Sequence, residues 1–220
     1  MKRHSGTGFR FAFLLATFSL VLVMPAMAGP PLICHPIDIG GAASLPWPGD
    51  GGGVVGRPDY DVSHLVADTL SLLSPNTDVL VRMETLRRAT IYAQRNPFIA
   101  KELLLKLHAR TVANAQDALV AFDFGYLVEC YKQAQLGRTE GLSAWRGSEW
   151  SDPAANLDGY SFVKRAIRMR GEDAEMEFAT ALISSTGSHK DCQQRIERAA
   201  AGAKGNALLA ENLSSYFGKR

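Results

Sequence analysis

Residues 157–185 read LDGYSFVKRAIRMRGEDAEMEFATALISS, and this stretch decides the fold class. Phe162, Val163, Ala166, Ile167 and Met169 recur at helical spacing before Gly171, and Ala174, Phe178, Ala181 and Leu182 recur at it afterwards. The spacing predicts two amphipathic helices, each with one apolar stripe, joined as a hairpin. Gly171 stands where a helix C-terminus calls for a backbone that other residues avoid, directly after Arg168 and Arg170, whose charge suits the negative end of the helix dipole. Glu172, Asp173 and Glu175 follow, where acids suit the positive end of the next helix. A lone hairpin cannot cover its own apolar surface, so further helices must pack on it.

The flanking sequence supplies them. Upstream, Tyr60–Leu73 aligns Val62, Leu65, Val66 and Leu70 on one face and is stopped by Ser74-Pro75-Asn76. Thr77–Arg95 follows, and Asn96-Pro97 is a cap and first-turn pair that opens a helix to about Val112. Another helix runs from Asp117 to Leu136 and closes at Gly137; downstream come His189–Gly202 and Asn206–Tyr216. No stretch alternates as a strand does. The expectation is an all-α body over residues 59–220 with seven or eight helices and no sheet. Within it, Gly137–Ala155 is irregular, and its Trp145 and Trp150 either pin the loop to the body or line a binding groove.

Gly125-Tyr126 and Gly159-Tyr160 lie 34 residues apart, and each glycine is followed twelve residues later by another, Gly137 and Gly171. That is the tetratricopeptide period. With its paired helices and absence of strands, the chain resembles tetratricopeptide-type repeats in general form, over Asp117–Tyr216. The resemblance implies stacked antiparallel helix pairs that present a groove to a protein or peptide partner, and it assigns no functional residue.

The N-terminus is of another kind. Lys2, Arg3 and Arg10 precede an apolar run from Phe11 to Met24 that ends in Ala26-Met27-Ala28, the pattern of a secretory signal peptide over residues 1–28. The expected location is secreted or periplasmic. A lipoprotein is excluded because Ile33 precedes Cys34, and no later segment is apolar enough to be an integral membrane span. Residues 29–58 form a Pro/Gly-rich arm, with Pro30, Pro31, Pro36, Pro46, Pro48 and Pro58 and a Gly-Gly-Gly run at 51–53. Leu32, Ile33, Ile37, Ile39, Leu45 and Trp47 in the same stretch predict an arm that is ordered on the helical body. Residues 1–28 hold three of the 24 basic residues and none of the 22 acidic ones, so the remainder carries 21 against 22, about −1. That balance gives no footing to nucleic-acid binding.

Three cysteines in an oxidising compartment leave at least one thiol. Cys130, inside a helical pattern, reads as a small core residue, which leaves Cys34 and Cys192 as the candidate disulfide. Cys34-His35 is alternatively a pair of metal ligands, to which His189 and Cys192 in HKDC would add a second pair. His64 with Asp61 or Asp68 has the composition of an acid-base site, and also that of a solvated helix face. Asp123, between Phe122 and Phe124, is either a buried ion pair with an arginine or a carboxylate facing a groove. Arg82, Arg87, Arg88 and Arg95 read as a basic surface on one helix. Gly125, costly within a helix, points to close approach of a neighbour. No cofactor is implied. The first reading is therefore an exported, non-enzymatic helical scaffold for a protein or peptide partner, with Asp123, Trp145 and Trp150 as candidate binding residues. An enzyme of unknown reaction and a metal-binding protein using Cys34 and His35 are the alternatives.

Overall fold

The computed structural model describes residues 29–49, 55–136, 154–186 and 189–218, and among them every regular element is helical. The order is α1 (Pro31–Cys34), α2 (Leu65–Leu72), α3 (Val79–Ala93), α4 (Pro97–Ala113), α5 (Ala118–Leu136), α6 (Gly159–Arg170), α7 (Ala174–Ser184), α8 (Cys192–Gly202) and α9 (Ala207–Phe217). The expected signal segment, the glycine run at 51–53, Trp145 and Trp150 lie outside the described residues.

Short polar residues start these helices by accepting otherwise orphaned N–H groups. Asn96 takes Phe98 N and Ile99 N ahead of Pro97, and Asp117 takes Leu119 N and Val120 N. Asp158, Asp173 and Asn206 do the same for α6, α7 and α9, each at 3.0 Å. Gly171, at φ +86°, ends α6 in a backbone region that only glycine enters without strain. Across that turn Arg170 pairs with Asp173 at 2.6 Å.

Three helices form the centre. α3, α5 and α7 touch one another and are buried on nearly every side, while α2, α4, α6, α8 and α9 cover them. The hairpin read from residues 157–185 is corrected in this respect. Its two helices are present, but α6 packs chiefly on α5 and α7 chiefly on α8. α7 has no solvent face: Met176 through Ser184 are all buried, Phe178 completely. Its one acid in that run, Glu177, is neutralised by Arg195 at 2.7 Å from α8.

The α5–α6 contact is made close by two glycines. A Cβ on Gly125 would stand 2.6 Å from Gly159 O, and one on Gly159 would stand 2.4 Å from Gly125 O. From that crossing α6 runs back along α5 until Arg165 reaches Ala115 O. Glu129 is buried there, paired with Lys132 at 3.0 Å, and also accepts Tyr160 N at 3.0 Å.

Candidate functional site

Residues 29–49 lie on the helical body and send apolar side chains into its core. Leu32 and Ile33 on the single turn of α1 are fully buried against α3, α5 and α7, and Ile37 and Leu45 are buried further along. Each such side chain contributes about 1.5–3 kcal/mol when removed from water. The extended backbone after α1 leaves main-chain N–H and C=O groups without helical partners, and these must be met by side chains.

α3 and α9 supply them. Glu84, with no solvent exposure, accepts Ile37 N at 2.9 Å, Arg87 Nε at 2.7 Å and Arg88 Nε at 2.7 Å. Arg87 donates onward to Ile33 O at 3.0 Å and Arg88 to Leu45 O at 2.6 Å. From α9, the Asn212 amide both accepts Asp38 N and donates to Asp38 O, each at 2.9 Å, and Tyr216 OH donates to His35 O at 2.8 Å. Tyr92 OH donates to Pro46 O, and Trp47 lies under the guanidinium of Arg87 at 4.8 Å. The basic surface expected of α3 is thereby corrected. Arg82 and Arg87 are wholly buried, and they serve to hold loops and the N-terminal segment in place.

The segment has two limbs joined by a turn in which Ala42 N donates to Ile39 O and Gly40 and Gly41 take φ of +59° and +83°. The limbs straddle α3 and leave an open groove of about 900 Å³ between them. Its walls include Cys34, Pro36, Ile39, Ser44 and Trp47, and Arg88 is the residue that α3 contributes. Glu84 faces two guanidiniums, and the carboxylate of Asp38 in the same groove balances the second of them in net charge. Asp38 on the rim uses its Oδ1 to accept Gly40 N.

The candidate residues are scattered relative to this groove. Asp123 lies on the far side of α3, completely buried and paired with Arg82 Nη1 at 2.7 Å, so the groove-facing alternative is corrected. Burial pushes its carboxyl up to about 6, against the opposing pull of Arg82. Cys34 is on the groove wall, its thiol pushed up by burial, which the charge of Arg87 only partly offsets. A protonated thiol is a poor ligand and a poor nucleophile. Cys34 is a thiol in the structure, and Cys192 turns its sulfur to Ala181 O at 3.5 Å, so the bridge expected between them is not made. His189 stacks on Tyr160 at 3.8 Å, and among the described residues no three His, Cys, Asp or Glu side chains gather as metal ligands.

His64, Asp61 and Asp68 share a shallow hollow of about 300 Å³ with Arg57, Asp59 and Tyr60. Its groups are already engaged: Asp59 with Arg57, Asp68 with Tyr60 OH at 2.7 Å, and His64 with Asp61 at 3.7 Å where both are about two-thirds exposed. Such a solvated pair lacks the enclosure that acid-base work needs. Of the residues that shape the groove, Glu84, Arg88 and Asn212, the sequence reading singles out Arg88 alone, and only as part of a basic surface. The signal for two of them was present as an acid three and four residues ahead of two arginines within the apolar run VLVRMETLRRATIYA. Comparison with protein-family models, with curated proteins and with solved structures finds no match for this chain.

Proposed function

We propose that this protein is an exported, non-enzymatic helical scaffold that binds a protein or peptide partner in the groove between the two limbs of residues 34–49. The observation that carries the reading is the open groove itself, in which the Arg88 guanidinium stands beside Pro36, Ile39 and Trp47. Glu84 is shared by Arg87 and Arg88, and Arg88, at 17% side-chain exposure, is the guanidinium of the two that lines the groove. The partner that fits is an extended segment with an acidic side chain over Arg88 and an apolar or proline residue against Pro36, Ile39 and Trp47. The all-helical body and the signal-like N-terminus are consistent with an exported peptide-binding scaffold. No helix among the described residues is long and apolar enough to cross a membrane.

Gentle crosslinking followed by pull-down from the exported fraction tests this. The expected result is one stoichiometric partner, recovered roughly tenfold less with Arg88→Gln at unchanged helical circular dichroism. Absence of a stoichiometric partner, or recovery indifferent to Arg88→Gln, overturns it.

A further inference from the structure

Two extended limbs joined by a two-residue turn ordinarily close into a hairpin that pairs along its length. The limbs at residues 35–39 and 42–47 do not close. Ala42 N donates to Ile39 O at 3.0 Å, and among the described residues no other backbone bond joins the limbs. Side chains of α3 link them instead: Glu84 accepts Ile37 N at 2.9 Å and Arg88 Nε at 2.7 Å, and Arg88 donates to Leu45 O at 2.6 Å. A carboxylate and a guanidinium in line thus hold the hairpin open, and the groove of about 900 Å³ between the limbs has the size of a ligand site. Successive residues of an extended chain turn their main-chain groups to opposite edges. Asp38 N and Asp38 O both meet Asn212 on α9, which defines the outer edge. Ile37 and Ile39 share the inner edge, where Ile37 N reaches Glu84 and Ile39 O accepts from the facing limb. Two groups on that inner edge, Ile37 O and Ile39 N–H, have no hydrogen-bond partner among the described residues.

We infer that the partner enters the open hairpin as an added strand, an extended segment running parallel to residues 35–39, one residue of which donates its N–H to Ile37 O and accepts Ile39 N–H. An acceptor and a donor two residues apart on one edge are what a single residue of a parallel neighbour meets. Main-chain N–H and C=O groups call for partners, and an extended chain has its own to offer. A helix is excluded as the occupant because its turns already use its main-chain groups. Proline is excluded at the bonded residue, which must supply an N–H. The inference rests on the groove reading above and adds to it how the partner is recognised: its main chain on Ile37 and Ile39, its acidic side chain on Arg88. Binding carried by main chain accepts many sequences, with side-chain contacts selecting among them.

A displayed library of random peptides selected on the purified protein supplies the probe. The expected result is enrichment of peptides in which proline is missing from one internal position, where N-methylation weakens binding at least about tenfold. On the protein, Ile39 incorporated as its α-hydroxy acid exchanges that one N–H for an ester oxygen and keeps the side chain. Because this N–H bonds to nothing within the described chain, circular dichroism and urea stability should be unchanged, while peptide binding weakens about three- to tenfold. The same exchange at Gly41, in the turn, should leave binding as it is. Peptides that lose binding with Arg88→Gln yet are indifferent to the ester at residue 39 would overturn the added strand and leave the groove reading standing. Peptides indifferent to both changes would overturn both. Failure to enrich any peptide would overturn the added strand as well, since an edge that reads main chain cannot be blind to a whole random library.

Discussion

Arg82 and Asp123 show how one buried pair organises three pieces of chain. The Arg82 guanidinium binds Asp123 Oδ2 at 2.7 Å on α5, Thr77 O at 2.9 Å and Ser74 O in the loop before α3. The other carboxylate oxygen, Asp123 Oδ1, is buried without a hydrogen-bond donor among the described residues. Burial raises this carboxyl to about 6, and the pull of Arg82 offsets that only in part. A raised carboxylate pKa means that the folded state holds the proton more tightly than the unfolded chain, whose value is near 3.8. The stabilising contribution of this group is therefore complete below about pH 4 and is lost as pH rises through about 6, a change of about 3 kcal/mol. Urea denaturation at pH 4 and at pH 7 should show this as a difference between the native chain and Asp123→Asn, which lacks the titration. Equal pH dependence in the two would mean that Asp123 stays ionised throughout, with the pairing to Arg82 outweighing burial.

At the scale of the helix, the sequence told which residues are helical far better than what each helix packs against. The caps at Asn96, Asp117, Asp158, Asp173 and Asn206, with the glycine at 171, are local chemistry, and local chemistry is written in a dozen consecutive residues. Packing partners are not local. A period of 3.6 reports one buried face, and it carries little information for α3, α5 and α7, which are buried on nearly every side with arginines and acids paired inside. Gly125 was legible as a place of close approach, but its partner was not, since Gly159 lies 34 residues further along the chain. The contact predicts its own test. Alanine gains about 1 kcal/mol over glycine in a helix interior, yet the Cβ of Gly125→Ala would meet backbone, Gly159 O and Val163 N, which no rotamer change relieves. Overpacking of that kind costs about 1–3 kcal/mol, so a net loss is expected in chemical denaturation, for Gly159→Ala as well. The double variant should cost less than the sum, because both methyl groups force apart the same pair of helices. A gain in stability would show that α5 and α6 have room to separate.

For the molecule as a whole, the N-terminal segment is held in two ways. α1 is held by apolar burial, with Leu32 and Ile33 out of contact with water and Leu32 N donating to Gln133 Oε1 at 2.9 Å. The limb at residues 35–39 is held mainly by side chains that bind its backbone, from Glu84, Asn212 and Tyr216. Its apolar residues were legible in the sequence as a reason to be ordered. The polar clasp was not, because residues 38 and 212 meet across almost the whole length of the chain and an asparagine in a helix carries no mark of what it binds. Helices and clasp should therefore differ in stability, since a limb fastened by a few hydrogen bonds opens locally while the burial of α1 requires the body to open. Asn212→Ala removes the two bonds to Asp38, at about 0.5–1.5 kcal/mol each. In native-state hydrogen exchange the amides of Ile37 and Asp38 should then exchange roughly tenfold faster or more, with Leu32 and the α5 amides from Tyr126 to Cys130 unchanged. Acceleration of all of them in step would show instead that limb, α1 and central helices open only together, and the groove between the limbs would then be as rigid as the core beneath it.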